Sequence, residues 1–101
     1  MLTRMTLTLL LIASLAGGAL AECTPGQMQE AQIQFQSAQQ LIQAQQWRQV
    51  IPQLNSIVDF CEEFYWAYRG LGMAHMELQQ FVEAEAAYQK VVDVRGAEVV
   101  A

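Results

Sequence analysis

Residues 29–47 read QEAQIQFQSAQQLIQAQQW, and the apolar positions in and just before this stretch decide how the chain folds. These apolar positions recur in alternate steps of three and four residues: Met28, Ala31, Phe35, Ala38 and Ile42. That spacing is typical of one face of an α-helix, whereas a strand needs an apolar residue at every second position. Because glutamine is a good helix former, we interpret the glutamines as the solvated faces of an amphipathic helix.

The start of this first helix is marked by a capping box. Thr24 stands at the cap, Pro25 follows in the first turn, and Gln27 lies three residues after the threonine. A threonine side chain in this position accepts a backbone N–H of the first turn, and the glutamine side chain returns to the backbone of the cap. The sequence therefore predicts a helix from Pro25 to about Gln45.

Three further helices follow from the apolar stripes in the rest of the chain. The second is predicted to begin near Arg48, because Pro52 is tolerated only close to the start of a helix. The third is expected to begin near Glu62 or Glu63, since acidic residues suit a helix N-terminus. The fourth is expected to end near Gly96, because glycine often terminates helices. The predicted fold is all-α, with two antiparallel helix hairpins.

The N-terminus has the three parts of a cleavable secretory signal, which predicts export. Arg4 precedes an apolar run, and the run ends in small residues up to Ala21. An uncleaved anchor is the alternative, although this run is shorter than the roughly 20 residues that span a bilayer. A lipoprotein signal ending before Cys23 is disfavoured, because Glu22 is not small. Residues 1–21 are therefore predicted to be a signal peptide and residues 22–101 one helical domain of a periplasmic or secreted protein.

Charge and cysteine content narrow the partners and the compartment. Without Arg4, residues 22–101 keep four basic residues against ten acidic ones, a formal charge of about −6. Such a chain repels nucleic acid and anionic membrane surfaces. In an exported chain the even pair Cys23 and Cys61 predicts a disulfide. An antiparallel hairpin also places the start of its first helix beside the end of its second, where these cysteines stand. Two free buried thiols are the alternative.

The second half of the chain repeats the first at a distance of 34 residues. Gln45-Gln46-Trp47 corresponds to Gln79-Gln80-Phe81, and Ile57-Val58 corresponds to Val91-Val92. A helical hairpin with this period resembles the tetratricopeptide repeat family. Residues 65–98 carry the better copy, which has the family-like positions Tyr68, Leu71, Gly72, His75, Leu78, Phe81, Ala84 and Tyr88. Residues 31–64 form a degenerate copy.

The resemblance implies a binding surface. In that family the first helices of successive hairpins line a concave groove that holds peptide segments. Matching the family pattern residue by residue assigns this groove to Trp66, Arg69, Met73, Met76 and Glu77 from the better copy. The degenerate copy would contribute Gln32, Gln39 and Gln43. Tryptophan, methionine and arginine are enriched at protein interfaces, although burial of Trp66 under the neighbouring hairpin is the alternative.

Catalytic and metal-binding patterns are weak in this sequence. His75 is the only histidine, and the repeat places it in the seam between helices. The paired acids Glu62-Glu63 and Glu83-x-Glu85 are accounted for by helix starts or solvated faces. Met73, Met76 and Met28 offer soft ligands that suit Cu(I), but a helical core or groove explains them as well. We therefore expect neither an enzyme nor a cofactor.

The sequence thus predicts a non-catalytic protein–protein interaction adaptor of the bacterial cell envelope. Its partner would be another protein or a peptide segment, with no nucleic acid and no membrane after signal cleavage. The alternative is a self-associating structural module, a possible homodimer, because solenoids usually close with a polar helix and Val91, Val92 and Val94 leave the last helix apolar. A copper-binding protein that uses the methionines is the more remote alternative.

Overall fold

The structure of the chain is a computed structural model that describes residues 22–100, with side-chain surroundings through residue 96. The predicted signal peptide, residues 1–21, lies outside the described residues. Four α-helices make up the described part: α1 (Pro25–Gln43), α2 (Trp47–Phe60), α3 (Tyr65–Glu77) and α4 (Phe81–Val100). Each helix packs against the next one along the chain, and α1 also contacts α3. The fold is all-α, as predicted, and the short connections make antiparallel hairpins of α1–α2 and α3–α4.

The predicted capping box opens α1. The Thr24 N–H donates to the Gln27 side-chain oxygen at 2.9 Å, and the Gln27 N–H donates to Thr24 Oγ1 at 3.1 Å. Two N–H groups that the helix itself leaves unpaired are thereby satisfied. Pro25 occupies the first turn, where its missing N–H costs nothing.

Each hairpin turns through three residues that are closed by the same pair of backbone hydrogen bonds. After α1, the Gln45 N–H donates to Ile42 O and the Gln46 N–H to Leu41 O, at 3.0 and 2.9 Å. After α3, the corresponding bonds run from Gln79 to Met76 and from Gln80 to His75, at 3.0 and 2.7 Å. Both are Schellman motifs, which satisfy carbonyl groups that a helix end leaves free.

Helix α2 begins at Trp47, next to the predicted start near Arg48, but Pro52 is its sixth residue and lies beyond the N–H groups that a helix start leaves unpaired. Two other predicted helix boundaries were wrong. Glu62 and Glu63 lie in the loop before α3, which starts at Tyr65 with no acid in its first turn. Gly96 does not end α4, because its backbone is helical and not left-handed.

The core runs along the seam of the helices. The predicted stripe of α1 points into this core, with Ala31 and Ala38 fully buried and Phe35 partly buried. The larger buried side chains come from α2, namely Val50, Leu54 and Ile57. Small residues on α3 let its neighbours approach closely, since a Cβ on Gly70 would lie 2.9 Å from Leu54 Cδ1. The α2 core residues therefore bridge α1 and α3.

The N-terminus of α1 is tied to the end of α2. Cys23 and Cys61 lie at disulfide-bonding distance, with Cα atoms 5.4 Å apart and Cys61 fully buried. The Cys23 N–H also donates to Glu63 Oε1 at 2.8 Å. The hairpin geometry thus brings the two cysteines together as predicted, and Glu63 holds the same junction instead of starting a helix.

Candidate functional site

A groove runs between α1 and α3 on the side where these helices contact each other. Two adjoining cavities of about 200 and 350 Å³ form it and share Phe35, Gln39 and Trp66. Its α1 wall is made of Gln32, Phe35, Gln36, Gln39, Ile42 and Gln43. Its α3 wall is made of Trp66, Arg69, Gly70 and Met73, together with Phe64 directly before the helix. We call this surface the α1–α3 groove.

The α1 wall presents a row of neutral amide groups. Gln32, Gln36, Gln39 and Gln43 follow one another in steps of four, three and four residues, so they lie on one helical face. All four side chains are exposed. A glutamine amide both donates and accepts hydrogen bonds, which matches the alternating N–H and C=O groups of a peptide backbone. Many of the glutamines in the opening stretch therefore line one side of the groove.

The α3 wall presents apolar surface to the same groove. Trp66 is 42% exposed and Met73 is 37% exposed, although both side chains are large and hydrophobic. Phe35 completes this surface from α1, and its ring packs edge-on against Phe64 with centroids 5.4 Å apart. Because Phe64 is almost fully buried, this aromatic pair anchors the groove floor to the core. Exposed apolar surface beside polar side chains is typical of interaction sites.

Arg69 is the one charged residue among the described residues that line the groove. Its guanidinium carbon lies 5.7 Å from the centroid of the Trp66 ring, within the range of a cation–π contact. Trp66 in turn stacks at a tilt on Tyr65, and Arg95 lies over the Tyr65 ring at 5.5 Å. The N-terminal turn of α3 therefore carries a row of two aromatic rings flanked by two arginines.

Most of the residues predicted for the groove lie along it. Trp66, Arg69 and Met73 line it from α3, and Gln32, Gln39 and Gln43 line it from α1. Met76 and Glu77 are exposed at the carboxyl end of α3, outside the lining of the two cavities. Trp66 is not buried under the neighbouring hairpin.

Sequence reasoning missed five lining residues, namely Phe35, Gln36, Ile42, Phe64 and Gly70. Phe35 and Ile42 belong to the core stripe of α1, and their edges also reach the groove. Gln36 continues the glutamine row at helical spacing, so the spacing itself was the signal for it. Gly70 lies between Arg69 and Met73 in the sequence of α3, and its small size allows the close approach of Leu54 and Ile42.

The residues considered above for catalysis or metal binding make polar contacts or packing contacts within the fold. His75 Nδ1 and Gln80 Oε1 are 2.7 Å apart across the α3–α4 turn. Glu62 pairs with Lys90 at 3.7 Å on the surface. Among the described residues, no three histidine, cysteine or acidic side chains group as metal ligands would. Met28 packs against the core whereas Met73 lines the groove.

The fold affects the ionisation of Tyr68. Its side chain packs against the core on α3. Partial burial raises the pKa of Tyr68 above its usual value, and the carboxylates of Glu62 and Asp59 raise it further. The tyrosine does not line the groove, so the shift belongs to the packing of α3.

A second exposed apolar surface lies on α4. Phe81, Val82 and Val92 are 59%, 79% and 62% exposed, and we call these three residues the α4 patch. Tyr88, on the same helix, packs its ring over Gly72 of α3 and is only partly exposed. Helix α4 therefore contacts α3 through Tyr88 and also presents apolar side chains to solvent.

Comparisons with known proteins found no significant match to this chain. No protein-family model matches the chain, and neither a curated protein nor a solved structure matches it significantly. Within the described residues, none of the four helices combines the length and apolar character that crossing a bilayer requires.

Proposed function

We propose that this chain is a non-catalytic interaction module that binds an extended segment of a partner protein in the α1–α3 groove. The observation that carries the proposal is the pairing of an amide row on α1 with the exposed Trp66 and Met73 on α3. Amide groups satisfy the backbone of a bound segment, and apolar side chains take up its apolar residues. The predicted signal peptide and the cysteine pair support placement of this adaptor in the bacterial cell envelope.

The repeat supports the same proposal. The two hairpin turns lie 34 residues apart in sequence and share their hydrogen-bond pattern, as two copies of a tetratricopeptide-like unit would. In such units the first helices of successive hairpins form a concave surface, and α1 and α3 are the first helices of the two hairpins here. We propose membership of that family from the residues and from this geometry.

Site-specific photocrosslinking tests the proposal. The mature chain, residues 22–101, would carry a photoreactive amino acid at Gln39 in the groove, and a matched control would carry it at Gln53 on α2. Envelope extract should give a crosslinked partner from position 39 only. Excess unlabelled protein should compete with this crosslink. A folded double variant, Trp66→Ala/Met73→Ala, should not compete. Equal crosslinking from both positions, or full competition by the double variant, would refute groove binding.

A second candidate function rests on the α4 patch. Three large apolar side chains exposed on one helix favour burial against another surface, and a second copy of this chain would supply one. The module would then assemble as a homodimer with an idle groove. Light scattering on the mature chain separates the candidates, because a clean monomer at high concentration excludes self-assembly. If the chain does associate, Val92→Glu should restore the monomer.

A further inference from the structure

The charge of the groove lining differs from that of the chain around it. The chain has a formal net charge of −5, yet the described residues that line the groove carry one charge, the positive charge of Arg69. The opposite wall is built from neutral glutamines and adds no carboxylate. A carboxylate that enters the groove therefore meets a cation at close range and no lining acid.

Arg69 is held in a position where it can meet a ligand. It is exposed, and its guanidinium carbon lies 5.7 Å from the centroid of the Trp66 ring. An arginine that contacts an aromatic ring in this way can still donate its N–H groups to a ligand. No ion pair is formed by Arg69 among the described residues. An arginine in this arrangement can donate two parallel hydrogen bonds to one carboxylate.

The apolar residues of the α3 wall set a second requirement, namely an apolar side chain on the ligand. Trp66 and Met73 lie one turn to either side of Arg69 on the same face of α3, so each is within a side-chain length of a carboxylate bound there. A segment that fills the groove would place an apolar side chain next to its acidic one. The amide row on α1 would bind the backbone of the segment whatever its side chains are.

From these three features we infer that the partner segment is acidic: an extended peptide in which an aspartate or glutamate that pairs with Arg69 alternates with apolar side chains that pack on Trp66 and Met73. This inference rests on the proposed function of the groove. It adds that Arg69 selects the segment by its charge, whereas the glutamines bind it regardless of sequence.

Fluorescence anisotropy with two matched peptides tests the inference. The acidic probe is a labelled nonapeptide, Leu-Ser-Asp-Ser-Leu-Ser-Asp-Ser-Leu, with an amidated C-terminus, so that leucine and aspartate alternate on one face of the extended chain. The neutral probe replaces each aspartate with asparagine. The mature chain should bind the acidic probe about fivefold more tightly, which is the strength of an exposed arginine–carboxylate pair. Arg69→Gln should abolish the difference and leave the affinity for the neutral probe within about twofold.

Arg48→Gln is the matched control, because it removes the same charge at the α1–α2 turn, where Arg48 lies beside Trp47 and Leu78. This variant should keep the preference for the acidic probe. Equal loss in the two variants would show that net charge is responsible and would overturn the inference. A third probe with a free C-terminus and no aspartate, if it bound as tightly as the acidic probe, would assign Arg69 to a terminal carboxylate and overturn the side-chain assignment.

The outcomes also separate the inference from the proposed function. If both probes bind equally and Trp66→Ala weakens both, the groove binds peptides but Arg69 does not select acidic ones, so only the inference fails. If neither probe binds, the inference fails, and crosslinking from Gln39 decides the fate of the groove itself. Circular dichroism of each variant, compared with that of the parent chain, shows that the helices are intact.

Discussion

Gln45 and Gln79, which stand 34 residues apart, both adopt the left-handed helical conformation, with φ angles of 59° and 60°. Each is the first residue past a helix C-cap, and each donates its N–H to the third residue before it. Positive φ is uncommon for a residue with a side chain, so its occurrence at both turns indicates a shared backbone solution. The 34-residue repeat is therefore present in the backbone conformation of the two turns as well as in their shared sequence, Gln-Gln-aromatic.

Gln79→Gly is expected to stabilise the fold. Glycine adopts positive φ without the steric cost that a Cβ imposes, and this gain exceeds its greater loss of backbone entropy on folding. We expect the free energy of unfolding in urea to rise by about 0.5–1 kcal/mol, and Gln45→Gly should act in the same direction. The control is Gln40→Gly, an exposed position inside α1, which should lower stability by about 1 kcal/mol. A loss of stability in the Gln79 variant would contradict the strain assigned to this turn.

Gly72→Ala is expected to loosen the α3–α4 hairpin. A Cβ at position 72 would lie 2.7 Å from carbon atoms of the Tyr88 ring, so the ring must move and lose its packing. Such overpacking costs about 1–3 kcal/mol. We expect this cost to outweigh the gain of about 1 kcal/mol that alanine brings inside a helix, so that thermal unfolding registers a lower Tm. Gly26→Ala is the matched control, because its nearest neighbour there is Thr24 Oγ1 at 4.0 Å.

A double variant checks the cause of that loss. With Tyr88→Leu in place, the added methyl group at position 72 no longer meets a ring. The cost of Gly72→Ala should then fall to a fraction of its value in the parent chain, as double-mutant cycles show for residues in direct contact. If the cost stayed the same, helix geometry rather than the Tyr88 contact would be responsible.

The sequence predicted the number of helices, their order and the core face of α1, because these depend on local spacing. It failed at the α2–α3 loop, where Glu62 and Glu63 have the composition of a helix start. There, long-range contacts decide: Cys61 joins Cys23, and Phe64 is buried against Phe35. A tertiary pairing of this kind overrides the preference of the acids for a helix N-terminus.

The residues of the groove, like the helices, could be predicted only where local spacing decides. The helical spacing of Gln32, Gln39 and Gln43 places them on one face, but nothing local tells which neighbour that face meets. Phe35 shows the limit most clearly, because its spacing assigns it to the core while its edge also lines the groove. Dual roles of this kind depend on how far apart α1 and α3 lie, which only the packed structure gives.

Loss of the Cys23–Cys61 link is expected to destabilise the fold strongly. The two residues are 38 positions apart, and closing a loop of that length contributes about 4 kcal/mol in the chain-entropy model. A chain of this size has a marginal core, so the double variant Cys23→Ala/Cys61→Ala should unfold at far lower urea concentration. Reductant should have the same effect on the parent chain and none on the double variant. An unchanged midpoint in both tests would show that the hairpins hold without the link.

Tyr68→Phe is expected to flatten the loss of stability at alkaline pH. The pKa of Tyr68 is raised in the folded chain by partial burial and by the carboxylates of Glu62 and Asp59. The folded chain therefore holds this proton more tightly than the unfolded chain does. The resulting stability is fully present below about pH 10, the ordinary pKa of tyrosine, and is lost as pH rises through the raised value.

Urea unfolding across this range should show a steeper decline for the parent chain than for Tyr68→Phe. The difference in tyrosinate absorbance between the two proteins gives the titration of Tyr68 itself, and a midpoint at or below about pH 10 would contradict the packing assigned to α3.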